Sequence, residues 1–227
     1  MRKEMAYALR RTVPVACGYI FLGMAFGVLL SEAGYGPVWA LCSSLFVYAG
    51  SMQFIMVSLL AAGAPVYTVA VTTFLVNARH IFYGLGMLEK FRGLGRRFPY
   101  MAFALTDETY SVLCSMDAPT GMDWADCAFY VSIFDQCYWV LGSLLGSLLG
   151  QTLPVDLTGI DFSMTALFVV IFVDQWKQFP SHVPALTGLA CAVAARLLFG
   201  PDNFLLIALI AAVAILAALR GRLEAKA

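Results

Sequence analysis

Three polar residues, Asn77, Arg79 and His80, lie within a long apolar run that extends from Pro65 to Leu88. An arginine at the centre of a membrane helix costs about 2.5–3.5 kcal/mol on scales derived from membrane insertion. A segment that only had to be apolar would carry leucine at this position. Arg79 is therefore predicted to face an anionic group inside the protein, either a carboxylate of the chain or one carried by a substrate. A structural ion pair without a substrate role is the alternative interpretation.

Asn77 and His80 are three residues apart, so on a helix they share a face. Arg79 points partly away from that face, but its long side chain can bring the guanidinium group round to it. The three side chains are accordingly expected to line one site.

Other polar residues interrupt the remaining apolar runs. An acid such as Asp107 or Glu108 suits an ammonium group or a proton that is coupled to transport. For Asp107 the alternative is a salt bridge to Arg79, and a pair that opens when substrate binds would be a gate. For Asp135 and Asp174 the alternative is burial as a paired structural group. The candidate substrate-binding residues are Tyr48, Gln53, Asn77, Arg79, His80 and Gln175, and the candidates for proton coupling or gating are Asp107, Glu108, Asp135 and Asp174.

The composition identifies the class of protein. The chain has 227 residues, of which 61% are hydrophobic and 12% are charged, whereas soluble domains average about 25% charged residues. Its mean hydropathy is +0.82. These values predict an all-α polytopic membrane protein. The formal net charge of zero gives no indication of a nucleic-acid partner, and the six scattered cysteines predict neither a metal site nor disulfides. We expect no cofactor.

The second apolar run, residues 38–62, has features of a broken element. Gly50 and Ser51 can loosen a helix at its centre, and the run divides into halves of about a dozen residues each, too short to span alone. An intact helix is the alternative. Charge favours the break, because the N-terminus, the basic segment 89–97 and the C-terminus can all be cytoplasmic only if an even number of crossings precedes Glu89. Residues 161–179 are predicted to be a second re-entrant run.

The two halves of the chain also share short motifs. Tyr19, Gly23 and Gly27 match Tyr138, Gly142 and Gly146 at an offset of 119 residues. We predict a single transmembrane domain over residues 1–227, built as a helical bundle from two repeats, about 13–116 and 128–219. Charge and the broken runs favour an inverted repeat, which is a transporter architecture. If every run crosses the membrane, the repeats are parallel instead.

At these residues the chain resembles the AzlC family, the large subunit of a bacterial branched-chain amino-acid exporter. The resemblance rests on the Gly-x-x-x-Gly motif at 23–27 and the motifs at residues 48–54, 76–80 and 106–109. It implies a multi-pass protein of the bacterial cytoplasmic (inner) membrane, and the basic residues at both ends of the chain predict N- and C-termini in the cytoplasm. It further implies proton-coupled export of valine, leucine and isoleucine, with methionine as a further candidate, and a small membrane subunit of the AzlD type.

Two other functions compete with the exporter. A channel, or a transporter for another small zwitterionic or anionic solute, would use the same polar lining. An intramembrane hydrolase would need Ser51 as nucleophile and His80 as base, but Ser51 lacks the flanking glycines of familiar serine motifs. The chain also lacks a nucleotide-binding loop of the G-x-x-x-x-G-K-[ST] type. The resemblance therefore implies a secondary transporter and not an enzyme.

Overall fold

The computed structural model describes residues 3–152, 181–200 and 204–224, together with Phe162, Val169, Phe172, Val173, Trp176 and Lys177. These residues form helices and connecting turns without any strand, which confirms the all-α prediction. The chain divides into two compact units, Met1–Asp161 and Phe162–Ala227. A single transmembrane domain built from two repeats stays a prediction.

Ten α-helices occur in the described residues, eight in the first unit and two in the second. A 3₁₀ turn, Gly95–Arg97, precedes the sixth helix. In the second unit, α9 and α10 pack against each other. The helices are α1 (Lys3–Glu32), α2 (Pro37–Phe46), α3 (Gly50–Ala61), α4 (Val66–Asn77), α5 (Arg79–Phe91), α6 (Phe98–Phe103), α7 (Asp107–Cys114), α8 (Trp124–Thr152), α9 (Val183–Phe199) and α10 (Phe204–Glu224).

The first unit is built on two long helices, α1 and α8, which pack along their length. Within the described residues, these are the two helices long and apolar enough to cross a membrane. A Cβ atom added at Gly23 would lie 3.0 Å from the backbone of Trp139 and Ser143, and one added at Gly27 would collide with the Ser143 carbonyl oxygen. Small residues thus let the two backbones touch, as in other membrane helix pairs.

The two helices run in the same direction. Gly142 contacts Tyr19 and Ile20 near the middle of α1, and Gly150 contacts Val28 and Ser31 near its end. The two matching Gly-x-x-x-Gly motifs of the predicted repeat therefore pack side by side in parallel. An inverted repeat would place these helices in opposite directions, so this pair does not show the predicted inversion.

The predicted break in residues 38–62 is present, because α2 ends at Phe46 and α3 begins at Gly50. The turn between them has Tyr48 in a left-handed conformation, with φ of 42°. At the start of α2, Gly36 lies beside Gln151 at the end of α8, and further along α2 Ser44 hydrogen-bonds to Ser143. Gly50 faces the ring of Trp139, near the middle of α8.

Helix α3 then turns back. The ring of Phe54 lies 5.9 Å from that of Phe26, which is seven residues beyond Tyr19 towards the end of α1. Helices α2 and α3 therefore form a hairpin that enters the unit from its far end, defined as the end where α1 stops at Glu32, and returns to that end. We call such a hairpin re-entrant; its position in a membrane stays a prediction.

A second re-entrant hairpin, α6 and α7, comes from the opposite end of the unit. Before α6, Arg97 pairs with Asp126 at the start of α8. After α7, the carbonyl oxygen of Ser115 accepts a hydrogen bond from Arg11, near the start of α1. Between the two helices, Thr106 reaches Tyr19 at the middle of α1. We call this end of the unit, which carries the basic segment 89–97, the basic end.

Helices α4 and α5 together connect the two ends, with an interruption at Ala78. Helix α5 ends at the basic end, where Met87 and Phe91 join a buried cluster with Ala8 and Cys127. This interruption was not predicted, because the run from Pro65 to Leu88 stays apolar on both sides of it. The interruption is local, because Ala78 keeps right-handed helical dihedral angles, with φ of −53° and ψ of −29°.

The outer surface of several helices carries large apolar side chains. Among the most exposed are Trp39 and Phe46 on α2, Val66 on α4 and Leu197 on α9, and each of these residues is more than half exposed. Such surfaces are costly in water and suit contact with lipid tails.

Candidate functional site

Three helix interruptions meet at mid-height of the first unit. The first lies at residues 47–49, the second at Ala78 and the third at residues 104–106. The level is marked by Tyr19 and Trp139, whose rings pack edge to face with centroids 5.4 Å apart. Each interruption starts a new helix, and Arg79 at the start of α5 contacts Ser51 in the first turn of α3 and Asp107 in the first turn of α7, so the three N-termini lie near one another. Helix N-termini carry a partial positive charge, which here lies in the middle of the unit.

Arg79 connects the three interruptions. It is the first residue of α5, and its guanidinium group donates a hydrogen bond to Ser51 Oγ in the first turn of α3. The same nitrogen forms an ion pair with Asp107 Oδ2, at 2.9 Å, in the first turn of α7. The side chains of Arg79 and Asp107 are 25% and 13% exposed. The prediction that Arg79 faces an anionic group inside the protein is therefore correct, and the group in the structure is a carboxylate of the chain.

Polar atoms without a partner lie beside this ion pair. The second carboxylate oxygen of Asp107 and the side-chain oxygen of Asn77 are both buried, and neither has a hydrogen-bond partner among the described residues. A buried acceptor without a donor costs about 1–3 kcal/mol. Both oxygens can accept hydrogen bonds from a cationic or N–H-bearing ligand.

His80 and Asn77 remain neighbours although the helix is interrupted between them. Nδ1 of His80 lies 3.1 Å from the backbone carbonyl oxygen of Asn77. That carbonyl is one of those left without a helical partner where α4 ends. His80 also packs edge to face against Tyr83, with ring centroids 5.7 Å apart. The imidazole therefore helps to satisfy the broken backbone next to Arg79.

Gln53 and Tyr48 lie at the first interruption, where both side chains are buried. The Gln53 side-chain oxygen accepts hydrogen bonds from the backbone N–H of Ala49, at 3.2 Å, and from the indole N–H of Trp139, at 2.9 Å. The Gln53 amide group donates to Ser43 and Ser44. The structure thus gives Gln53 a role in closing the break between α2 and α3. Substrate contact by Gln53 or Tyr48 stays a prediction.

A second polar cluster lies next to the first and contains two of the predicted coupling residues, Glu108 and Asp135. Tyr19 Oη donates to Glu108 Oε2 at 2.6 Å and lies 2.6 Å from Thr106 Oγ1. Thr106 Oγ1 is 3.0 Å from Thr109 Oγ1, which is 2.8 Å from Asp135 Oδ2. The two carboxyl groups are therefore joined through three hydroxyl groups.

Two groups of predicted residues remain: those outside the described part of the chain, and the pair required by the alternative hydrolase. Asp174, Gln175 and most of the predicted re-entrant run 161–179 lie outside the described residues. Ser51 and His80, the pair that a hydrolase would need, share no hydrogen bond in the described part of the chain. Instead Ser51 bonds to Arg79 and His80 to Asn77.

Comparison with known proteins identifies the family. The family model described as AzlC protein matches residues 14–153 of the chain, a range that contains all three interruptions. The chain belongs to the AzlC family. The resemblance found in the sequence is therefore confirmed.

Three relatives of this AzlC-family chain illustrate the range of similarity. The branched-chain amino acid transport protein AzlC of Bacillus subtilis (strain 168) is 37% identical over 213 residues, which cover 94% of the chain and 84% of the relative. An uncharacterized membrane protein of Helicobacter pylori (strain J99) is 42% identical over 222 residues, or 98% of the chain and 97% of the relative. The inner membrane protein YgaZ of Escherichia coli (strain K12) is 26% identical over 191 residues, or 80% and 78%. No solved structure gives a significant match.

These findings establish that the AzlC-family chain is a membrane protein with a role in transport. The polar residues at the three interruptions are the candidate transport site.

Several residues of the site were not predicted as site residues from the sequence. Tyr19, Thr106 and Thr109 join the two carboxyl groups, and Ser51, considered only as a nucleophile, bonds to Arg79. A helix-start pattern was available for Thr106, because threonine before two acidic residues is a typical N-cap. Its hydroxyl does accept the Thr109 backbone N–H at 3.3 Å.

Proposed function

We propose that this protein is a secondary transporter that exports branched-chain amino acids from the bacterial cytoplasm and is driven by the proton gradient. The observation that carries the proposal is the Arg79–Asp107 pair, placed where three helix interruptions meet. The branched-chain substrate is inferred from the name of the Bacillus subtilis relative.

The pair has the chemistry to bind an amino acid at its charged end. The guanidinium group of Arg79 can hold the substrate carboxylate, which would take the place of Asp107. Asp107 then becomes free to accept the substrate ammonium group, with the unpartnered oxygen of Asn77 as a second acceptor. The exchange of one ion pair for two keeps every buried charge paired, which limits the cost of opening the site.

The same exchange supplies a gate. Arg79 begins α5, whereas Ser51 and Asp107 begin the re-entrant helices α3 and α7, which come from opposite ends of the unit. Release of either contact frees one hairpin from α5 while the other stays attached. Opening towards one end at a time is what alternating access requires.

The proposed orientation is based on the charge distribution, and the proposed partner on the resemblance to the AzlC family. The basic segment 89–97 and the start of α1 lie at one end of the first unit, and we place this end in the cytoplasm, in line with the positive-inside rule. We propose the bacterial inner membrane as the location, and a small membrane subunit of the AzlD type as the partner.

Counterflow in proteoliposomes tests the transport function. Full-length protein, alone and with a small subunit of the AzlD type, is preloaded with unlabelled leucine and supplied with labelled leucine outside. We expect transient accumulation of label in the wild type and loss of it in Arg79→Ala, because the carboxylate-binding group is gone. A pore equilibrates label without trans-stimulation, so that result would replace the transporter with a channel.

The Arg97–Asp126 pair offers a matched control, because it is also an arginine–aspartate ion pair of the first unit but lies at the basic end. Arg97→Ala removes the same charge away from the interruptions and is expected to keep counterflow. Equal loss in Arg97→Ala and Arg79→Ala would contradict a specific role of Arg79 in substrate binding.

A further inference from the structure

We infer that Glu108, Tyr19, Thr106, Thr109 and Asp135 form a proton relay, in which one proton passes between the two carboxyl groups through the three hydroxyl groups. The inference deepens the proposed proton-coupled transport and rests on it, because it names the path that the coupled proton takes. Each link of the path is a hydrogen bond of 3.0 Å or less.

Asp135 is an acidic residue buried without a counter-charge among the described residues. Its side chain lies in the middle of α8 and is 0% exposed. One carboxyl oxygen accepts from Thr109, while the other has no partner in the described part of the chain. No lysine, arginine or histidine among the described residues forms an ion pair with it. A carboxylate buried without a counter-charge is costly, whereas a carboxyl group that holds a proton is not.

The titratable groups around Asp135 do not provide that counter-charge. They are Glu108, across the relay, and the phenol groups of Tyr19, Tyr48 and Tyr100. Asp135 and Glu108 would repel each other if both were ionised, so one proton shared between them is the favoured arrangement.

One proton can pass from Glu108 to Asp135 along the three hydroxyl groups without leaving a charge on any of them. In one state Glu108 carries the proton and donates to Tyr19, which donates to Thr106, which donates to Thr109, which donates to Asp135. Each hydroxyl then receives one proton and gives one: the O–H bond of Glu108 breaks and an O–H bond of Asp135 forms. In the second state every hydrogen bond of the relay points the other way, and Tyr19 donates to Glu108.

The relay is connected to the substrate site through the chain itself. Glu108 follows Asp107 in the first turn of α7, and Asp107 is the counter-ion of Arg79. Binding of a substrate carboxylate to Arg79 changes the charge next to Glu108. The location of the shared proton, at Glu108 or at Asp135, is then set by the occupancy of the site.

Thr109→Val tests the relay, because it removes one hydroxyl and keeps nearly the same shape. Thr109→Ser keeps the hydroxyl. Thr12→Val is a matched control: Thr12 is also 0% exposed, and its hydroxyl bonds to the Ala8 carbonyl at 3.0 Å, outside the relay. Folding of each variant is checked by size-exclusion elution and thermal unfolding.

The first measurement needs no substrate. Purified full-length protein is given a pH step, and infrared difference spectroscopy follows the bands of protonated carboxyl groups, assigned with Glu108→Gln and Asp135→Asn. We expect the Asp135 band to appear at least about tenfold more slowly in Thr109→Val than in wild type. Thr109→Ser and Thr12→Val should retain the wild-type rate. An unchanged rate in Thr109→Val, or equal slowing in Thr12→Val, would overturn the relay.

The second measurement separates the relay from the transport function. In proteoliposomes, Thr109→Val is expected to lose leucine accumulation driven by a pH gradient, whereas Thr109→Ser and Thr12→Val are expected to keep it. Loss of gradient-driven accumulation in Thr109→Val alone supports the relay, and its retention counts against the relay. Wild-type protein that shows no counterflow with any branched-chain amino acid would reject the proposed function, while the infrared result would still decide the relay.

Discussion

At the scale of the residue, the arginine–aspartate pair of the site is more buried than the arginine–aspartate pair at the basic end. Arg79 and Asp107 have side chains 25% and 13% exposed, whereas Arg97 and Asp126 have side chains 40% and 27% exposed. The more buried pair loses more hydration, so each partner depends more strongly on the other. The sequence indicated this for Arg79, because its apolar surroundings required a nearby anion.

Double-mutant cycles on the two pairs test this difference. We expect the cycle of Arg79→Ala with Asp107→Ala to give a coupling free energy of about 0.5–3 kcal/mol. The cycle of Arg97→Ala with Asp126→Ala should give the smaller value of an exposed pair, about 0.2–1 kcal/mol. Thermal unfolding of the purified variants in one detergent provides the measurement. Coupling at Arg97–Asp126 that equals or exceeds coupling at Arg79–Asp107 would argue against a buried central pair.

At the scale of the element, the interruptions differ in how well the sequence indicated them. The break at residues 47–49 could be predicted, because Gly50 and Ser51 loosen the helix and the basic segments require an even number of crossings. The break at Ala78 has no glycine or proline beside it, and the features next to it are the tertiary contacts of Arg79 with Ser51 and Asp107. Hydropathy alone does not locate such a break.

The sequence predicted that α1 packs closely against another helix, but it did not predict which helix or in which direction that helix runs. The Gly-x-x-x-Gly motifs predicted close packing at Gly23 and Gly27. Their partner and its direction depend on the whole fold. The structure shows that α8 packs in parallel along α1 with its own matching motif.

A pair of glycine substitutions within α1 tests this contact. Gly27→Ala places a methyl group against the Ser143 carbonyl oxygen of α8, whereas Gly18→Ala places the same group where no atom lies within 4 Å. We expect Gly27→Ala to lower the free energy of unfolding by about 1–3 kcal/mol, the usual cost of overpacking. Gly18→Ala should be neutral or slightly stabilising, because alanine is the better helix former. Thermal unfolding in detergent compares the two, and similar destabilisation by both would contradict backbone contact at Gly27.

At the scale of the whole molecule, the first unit combines through-going and re-entrant elements. Helix α1 and the α4–α5 pair connect the basic end with the far end, while each re-entrant hairpin returns to the end from which it came. Two passes along the unit, α1 and α4–α5, therefore precede the basic segment 89–97, which agrees with the even number that the charge distribution predicts. That both passes cross a membrane stays a prediction. The second re-entrant run predicted at residues 161–179 lies outside the described residues and stays a prediction.

This arrangement makes a specific prediction for labelling of intact bacteria. In a background with all six cysteines replaced by alanine, single cysteines are placed at Glu32, Ala62 and Gly93, which are all exposed. A maleimide reagent that cannot cross membranes should label positions 32 and 62 in intact cells, or in spheroplasts, and position 93 only after the membrane is opened. Equal sidedness of positions 32 and 62 is the signature of the re-entrant α2–α3 hairpin, because one crossing between them would place them on opposite sides. Labelling of position 62 together with position 93, and not with position 32, would show that residues 38–62 span the membrane and would remove the even crossing number on which the cytoplasmic placement of the basic segment rests.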